Sequence, residues 1–387
     1  MKTLMGLSKL PIYTFKLVIY WISYFTEKDK NTWIFGAWDG NLFCDNSKAL
    51  FLYTIKEHTK INAFWLTKNK LVYKELKEKC LPVLYIWSLK GLITSLKAHV
   101  IFISHRSYDV AEFCISKKNT IIQLWHGSPI KKICQDNKFE KKNWNMPTWK
   151  KIIYTILLPY DKTHATLTIA SSKKVKEIFK NSFLINDEQI AVLGYPRNDQ
   201  LKKSQHKTKK IIYLPTMRPY NKNLNYLDNI YSPELENVLK KHSASLHIKL
   251  HPIDSSKSMI ENIHIINDPD IHQQLGEYDI LITDYSSIIF DYLLLNQPII
   301  HYLFDHTKYI ANERELYENI DTVACGPIAK NVTELIQHLD EILEGNDNHK
   351  EKRQVVKKTY NEFDDQKNSK RVCDYVLNLI NHSQTKD

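Results

Sequence analysis

Three short segments bring together side chains that can move protons and hold anions. Thr120–Pro129 reads TIIQLWHGSP, an apolar run that passes directly into Trp125, His126, Gly127, Ser128 and Pro129. A histidine at the carboxyl end of a strand can act as a general base near neutral pH. Gly127 lets the backbone approach a ligand, and Pro129 can open a helix. Leu246–Pro252 reads LHIKLHP, so alternation places His247, Lys249 and His251 on one face of a short strand. An imidazole and an ammonium aimed at one cleft suit a diphosphate. Asp279–Asp291 reads DILITDYSSIIFD: a strand, a polar turn of Asp284, Tyr285, Ser286 and Ser287, then a helix start near Ile288. Helix N-termini and serine hydroxyls donate to anions. Plainer readings stand beside each segment: a histidine bonded to a neighbouring loop, a polar strand edge, and ordinary N-capping by Asp284 or Ser286.

Two further pieces carry arginines. Gly194–Asp199 reads GYPRND and Leu214–Pro219 reads LPTMRP. Arg197 and Arg218 can each face a cleft as bidentate phosphate ligands, or serve as hinge and surface residues. No acidic D-x-D motif follows a strand in a suitable setting, so neither a protein-bound metal nor another cofactor is expected.

The elements needed to position these residues alternate along the chain. Apolar runs at Thr32–Gly36, Ile61–Leu66, Val83–Ile86, Val100–Ser104, Thr120–Trp125, Ala165–Ala170 and Gln189–Leu193 read as strands, with helical patterns at Ser47–Glu57 and Leu71–Lys79. The basic stretch LKKSQHKTKK at Leu201–Lys210 marks a domain boundary. A second series follows at Ile211–Leu214, Pro233–Lys241, Leu246–Leu250, Ile263–Ile266, Ile280–Thr283 and Pro298–Tyr302. Lys352–Ile380 reads as helical and able to cross back to the first half. The expectation is an α/β chain: an apolar segment over 1–30, then Rossmann-like domains over 31–203 and 204–387, their parallel sheets facing a central cleft.

Composition bounds the partners. The 387 residues carry 54 Lys+Arg against 43 Asp+Glu, a formal net charge of +11. That excess calls for an anionic partner: nucleotide, phosphate-rich substrate, nucleic acid or membrane surface. Nucleic acid is disfavoured, because the lysines are scattered and no recognised motif is present. The six cysteines show no C-x-x-C pair or zinc-ligand spacing and read as reduced thiols. Leu10–Phe25, LPIYTFKLVIYWISYF, is short for a spanning helix. It reads either as a core helix or as one lying in a membrane interface. A second interfacial candidate is the basic and aromatic stretch from Lys138 to Lys162.

The order Gly40, Asp45–Leu50 (DNSKAL), WHGSP, GYPRND, LPTMRP, KLHP, TDYSSIIFDYLLLNQPII and a late FDDQKNSKR at Phe363–Arg371 resembles one family. These are the CDP-glycerol:glycerophosphotransferases of teichoic acid and capsule synthesis, with their ribitol-phosphate relatives. The resemblance runs from about Trp33 to Leu379. It implies a GT-B fold bound peripherally to the cytoplasmic face of the bacterial membrane, which supplies an anionic surface. It implies transfer of glycerol phosphate or ribitol phosphate from CDP-glycerol or CDP-ribitol to a lipid-linked saccharide or polyol-phosphate chain, releasing CMP. A GT-B nucleotide-sugar glycosyltransferase is the alternative.

Carried over by position, the resemblance implies catalytic roles for His126 and His251, with either able to be the base. It implies donor binding by Arg218, Thr283, Asp284, Ser286 and Ser287; Gly127, Arg197, Lys249 and Arg314 are further candidates for the cleft. Two places depart from the family pattern. Asn312–Tyr317 (NERELY) stands where Arg-Gly is usual, and Gln366 follows Asp365 where glycine is usual.

Overall fold

The computed structural model describes residues 10–138, 164–218, 224–249 and 270–382, with 147, 155, 158–162, 220–221, 262–266 and 268. Thirteen strands form two sheets among the described residues. The first contains β1 (Asp29–Phe35), β2 (Asn62–Thr67), β3 (Val83–Tyr85), β4 (Ala98–Ile103), β5 (Thr120–Gln123), β6 (Leu167–Ala170) and β7 (Ile190–Val192). Their order is β3-β2-β1-β4-β5-β6-β7, and every pairing is parallel. The second contains β8 (Lys209–Leu214), β9 (Ala244–Lys249), β10 (Ile263–Ile266), β11 (Ile280–Thr283), β12 (Ile299–Tyr302) and β13 (Ile328–Ala329). Its order is β10-β9-β8-β11-β12-β13, again parallel throughout.

Both sheets are doubly wound. Strand order reverses between β1 and β4 in one and between β8 and β11 in the other, which opens a ligand crevice beyond the carboxyl ends of those strands. Most strands carry apolar runs because helices cover both faces, whereas β9 alternates buried and half-exposed residues. Trp33, Phe35, Phe102 and Trp65 fill the first lobe, with Phe35 stacked on Phe102 at 4.4 Å. A second cluster joins the lobes, packing Ile130, Val175 and Phe179 with Ile212, Tyr285 and Ile289.

The basic stretch after Leu201 is pinned to the second lobe. Ser204 N donates to Gly276 O at 2.8 Å, and a Cβ on Gly276 would lie 1.9 Å from Lys202 O. The carboxyl-terminal helical reading needs one correction: there are two helices, Lys350–Tyr360 and Asn368–His382. Asn361 ends the first by turning its amide onto Phe290 O at 2.7 Å. Gln366 then takes a left-handed φ of 56°, a conformation that glycine adopts more readily. The last helix places Val372, Cys373, Val376 and Ile380 in the first-lobe core. Helices Leu89–Lys97, Lys173–Phe183 and Val332–Leu343 have no counterpart in the sequence reading.

Leu10–Phe25 forms a helix of 16 residues. Its inner side buries Tyr20 and Ser23, and Lys16 pairs with buried Glu112. Its outer side exposes Ile12, Phe15, Val18, Trp21, Ile22 and Phe25. Both sequence readings describe part of this helix. Among the described residues no helix is long and apolar enough to cross a membrane. Most of the Lys138–Lys162 stretch lies outside the described residues.

Candidate active site

The second-lobe crevice is held together by charge. Thr283 Oγ1, at the end of β11, donates to Leu214 O at the end of β8 (2.7 Å). Asp284 accepts from Thr216 N at 3.0 Å, from Thr216 Oγ1, from Tyr285 N at 2.6 Å and from Arg218 Nη2 at 2.8 Å. Arg218 also donates from Nε and Nη2 to Asp305 at 2.8 and 2.9 Å. Its guanidinium lies 4.5 Å from the centre of the Tyr309 ring, and Tyr220 OH donates to Asp305. The Arg218 side chain is 0% exposed, so it braces the turn from beneath and does not present its fork to the crevice. Thr283 and Asp284 are likewise buried in the frame.

Ser286 and Ser287 are half-buried at the start of helix Ile288–Tyr292. That helix has only five residues, so its macrodipole is small and the hydroxyls are the more important donors. One arginine between two carboxylates leaves the Arg218–Asp284–Asp305 group formally negative. Positive charge for an anion must therefore come from elsewhere.

In the first lobe, β5 leads to Trp125 at φ 55° and Gly127 at φ 129°. This turn swings His126 under a column of rings. His126 stacks on His105 at 4.1 Å with 2° between planes, and on Trp125 at 4.3 Å. His126 Nδ1 lies 3.3 Å from Ser104 O. A carbonyl only accepts, so Nδ1 carries the proton and Nε2 keeps its lone pair. Burial lowers the His126 pKa; Asp45 and the Ser104 carbonyl oppose this, and Arg197 and Arg314 reinforce it. The ring is therefore a neutral acceptor at physiological pH.

The two turns adjoin. A Cβ on Gly127 would lie 2.7 Å from Arg197 Nη2 and 3.0 Å from Ser287 Oγ. Arg197 donates to Asp45 at 2.7 Å, to His126 O at 3.1 Å and to Asp291 of the second lobe. It ties the lobes together instead of reaching into open space. The segment carrying Arg314 is stitched across the same junction: Lys132 N donates to Glu315 O at 2.8 Å and Tyr317 N to Ile130 O at 3.0 Å. Arg314 thus adds positive charge beside His126 and Lys131. Lys249 is half-buried at the end of β9, and burial lowers its pKa against the opposing pull of Asp268 and Asp270. His251 lies outside the described residues.

The family description "CDP-Glycerol:Poly(glycerophosphate) glycerophosphotransferase" matches residues 18–378. The chain belongs to this family. It is 26% identical to the teichoic acid glycerol-phosphate transferase of Staphylococcus aureus, over 90% of this chain and 93% of that protein. It is also 26% identical to the teichoic acid poly(glycerol phosphate) polymerase of Bacillus subtilis, over 87% of this chain and 47% of that protein. The structure of the wall teichoic acid polymerase TagF superposes with a TM-score of 0.77 at 22% identity, covering 97% of this chain and 96% of that one. The shared architecture is the GT-B-like pair of doubly wound lobes.

This glycerophosphotransferase-family enzyme carries further candidate site residues that its motifs did not single out. Lys131 follows the WHGSP turn, and its backbone bridges to Leu316. Burial lowers its pKa to about 8, with Arg314 and Arg218 adding to the shift and Asp284 and Glu313 opposing it. It is a partly desolvated cation beside the negative Asp284 frame. Asp305 and Tyr309 anchor Arg218, and His105 supports His126. The adjacent basic pair IKK was the available signal for Lys131. Nothing local in sequence marks Asp305 or His105, which meet their partners only through the sheet.

Proposed function

We propose that the protein transfers glycerol phosphate, or ribitol phosphate, from its CDP-activated form to a hydroxyl of a lipid-linked saccharide or polyol-phosphate chain. The donor's diphosphate lies against Ser286 and Ser287, with Lys131 and Arg314 neutralising it. The acceptor oxygen attacks the phosphorus that bears the polyol. The bond from that phosphorus to the bridging oxygen breaks, and CMP leaves with the electron pair. His126 Nε2 takes the proton of the attacking hydroxyl, and His251 assists CMP departure. Arg218, Asp284 and Asp305 fix the serine turn. Phosphoryl transfer needs chiefly in-line positioning and charge stabilisation, which these groups supply.

The observation that supports this reading is the close approach of the histidine turn to the serine turn, where a Cβ on Gly127 would lie 3.0 Å from Ser287 Oγ. CMP release from CDP-glycerol and CDP-ribitol, with UDP-sugars as controls and mass analysis of the product, tests it. His126→Ala lowers turnover about 10²–10⁴-fold with donor affinity little changed. Near-normal turnover in that variant, or nucleotide release from UDP-sugars alone, overturns the reading.

Peripheral attachment to the cytoplasmic face of the bacterial membrane is part of the same proposal. The outward residues Ile12, Phe15, Val18, Trp21 and Phe25 form an apolar stripe on a chain of net charge +11. Such a helix inserts shallowly into an anionic surface. Sedimentation with anionic vesicles, reduced in a Trp21→Glu/Phe25→Glu variant, is the expected result. A chain that stays in the supernatant removes this part.

A further inference from the structure

The crevice of the first lobe contains a strained, exposed tryptophan that the reaction described above does not use. Trp38, Asp39 and Gly40 follow β1 at the point where strand order reverses, and all three have positive φ (50°, 54° and 79°). A bulky residue in the left-handed region is an outlier that surrounding structure must enforce. That enforcement is visible. Asp109 accepts from Asp39 N at 2.8 Å through one carboxylate oxygen. Through the other it accepts from Ser104 N at 2.8 Å and His105 N at 2.7 Å. A single buried carboxylate thus clamps the Trp38 turn to the turn that carries His105. Gly40 O receives Lys68 N at 2.7 Å and Thr67 Oγ1 at 2.8 Å, closing the far side.

The strain displays an indole. Trp38 is 44% exposed, far more than Trp33 or Trp65, which are fully buried. Its ring lies 4.2 Å from that of His105 and 6.5 Å from that of His126. The three rings form a bent column, with Trp38 tilted 52° to His105, and His126 stacks in turn on Trp125. The column is uncharged: burial and the neighbouring His126 hold His105 at a pKa of about 3. His105 Nδ1 is buried with no hydrogen-bond partner among the described residues. Asp39 and Arg106 flank Trp38 3.7 Å apart and opposite in sign, Asp45 and Arg197 likewise act on His105 as an opposed pair, and Arg314 lies further along beside His126. A neutral aromatic shelf with a carboxylate beside it suits the C–H face and hydroxyls of a pyranose better than a polyanionic chain.

We propose that Trp38 is the specificity-determining platform of the acceptor site, stacking on a sugar ring so that a hydroxyl of that saccharide meets His126. This rests on the transfer reading above and selects, between its two acceptor classes, the saccharide.

Two measurements test it. The first titrates an alkyl-linked disaccharide into the full-length protein by calorimetry. Trp38→Ala weakens this binding by about tenfold or more, whereas Trp38→Phe, which keeps an aromatic face, stays within about threefold of the parent. CDP-glycerol titrated into the same variants binds as to the parent, which also shows that the variants are folded. The second compares KM for the disaccharide and for an alkyl-linked oligo(glycerol phosphate) by CMP release, and the Trp38→Ala increase is expected for the disaccharide. Unchanged disaccharide affinity in Trp38→Ala, no disaccharide binding by the parent, or an equal KM increase for both acceptors overturns the platform. If no CDP-polyol releases CMP, the transfer reading fails while the sugar titration still decides the role of Trp38.

Discussion

The two crevices of this molecule are built from opposite materials. In the second lobe, Arg218, Asp284, Asp305, Thr216 and Tyr220 form a buried ionic frame in which almost every polar atom is spoken for. In the first, His105, His126 and Trp125 stack as rings with Trp38 tilted against His105, with few polar ties and one orphaned ring nitrogen among the described residues. In the proposed reaction, rigid charge suits the side assigned to the diphosphate. Stacked rings suit the side that meets a bulkier partner and must keep an imidazole neutral. The cost of each design also differs, because a buried ionic frame fails severely when one member is lost and a ring stack fails gradually.

That contrast can be broken experimentally. Arg218→Ala leaves the buried Asp284 and the half-buried Asp305 without their cation and is expected to cost ~3–5 kcal/mol in urea unfolding. Arg218→Lys recovers only part, since an ammonium cannot bridge both carboxylates with the same fork. A loss below about 1 kcal/mol would show that the frame is not ionic in effect. Gly127→Ala, at the seam between the crevices, puts a methyl against Arg197 and Ser287 and strains a backbone at φ 129°. A cost of ~1–3 kcal/mol and a raised donor KM are expected from denaturation and initial rates. On the ring side, His105→Phe preserves the stack and removes an unpartnered nitrogen, so a change of about 1 kcal/mol or less is expected.

The pH profile of kcat/KM sharpens the same comparison. As the proposed base His126 would act when neutral, and its pKa is lowered, so the acid limb is expected below the ordinary histidine value of about 6.5. Asp45, Arg197, Arg314 and His105 are the charged or titratable groups that tune it. Lys131 acts when charged, so activity falls as pH rises through about 8. Lys131→Arg keeps the charge and abolishes that alkaline limb; an unchanged limb in this variant removes Lys131 from the donor site. The smallest effect is at Gln366, where Gln366→Gly relieves a left-handed φ of 56° but loses the bond to Leu201 O, leaving stability within ~1 kcal/mol.

Much of the second lobe was readable in advance, because its strands are short apolar runs ending at polar turns, and β10 and β11 fall where the pattern placed them. Alternation along β9 was also correct, with Ser245, His247 and Lys249 half-exposed between buried neighbours. The His126 and Ser286–Ser287 turns stood out because small and polar residues follow directly on strands. Arg218 illustrates what was hidden: its residue type suggested a phosphate ligand, and only the fold reveals that Asp305, 87 positions later, occupies the fork. The split at Asn361 was invisible for a similar reason, since the residue that ends the helix bonds to Phe290, 71 positions away. Trp38 was passed over because left-handed backbone is not written in composition, and the clamp that enforces it comes from Asp109.

Arg197 also has a consequence for turnover. A cation buried between Asp45 on one half and Asp291 on the other, with an apolar cluster packed beside it, acts as a rivet. Prising the halves apart would break the Arg197–Asp291 pair and expose the apolar cluster beside it, so a wide jaw-like opening would cost both sets of contacts.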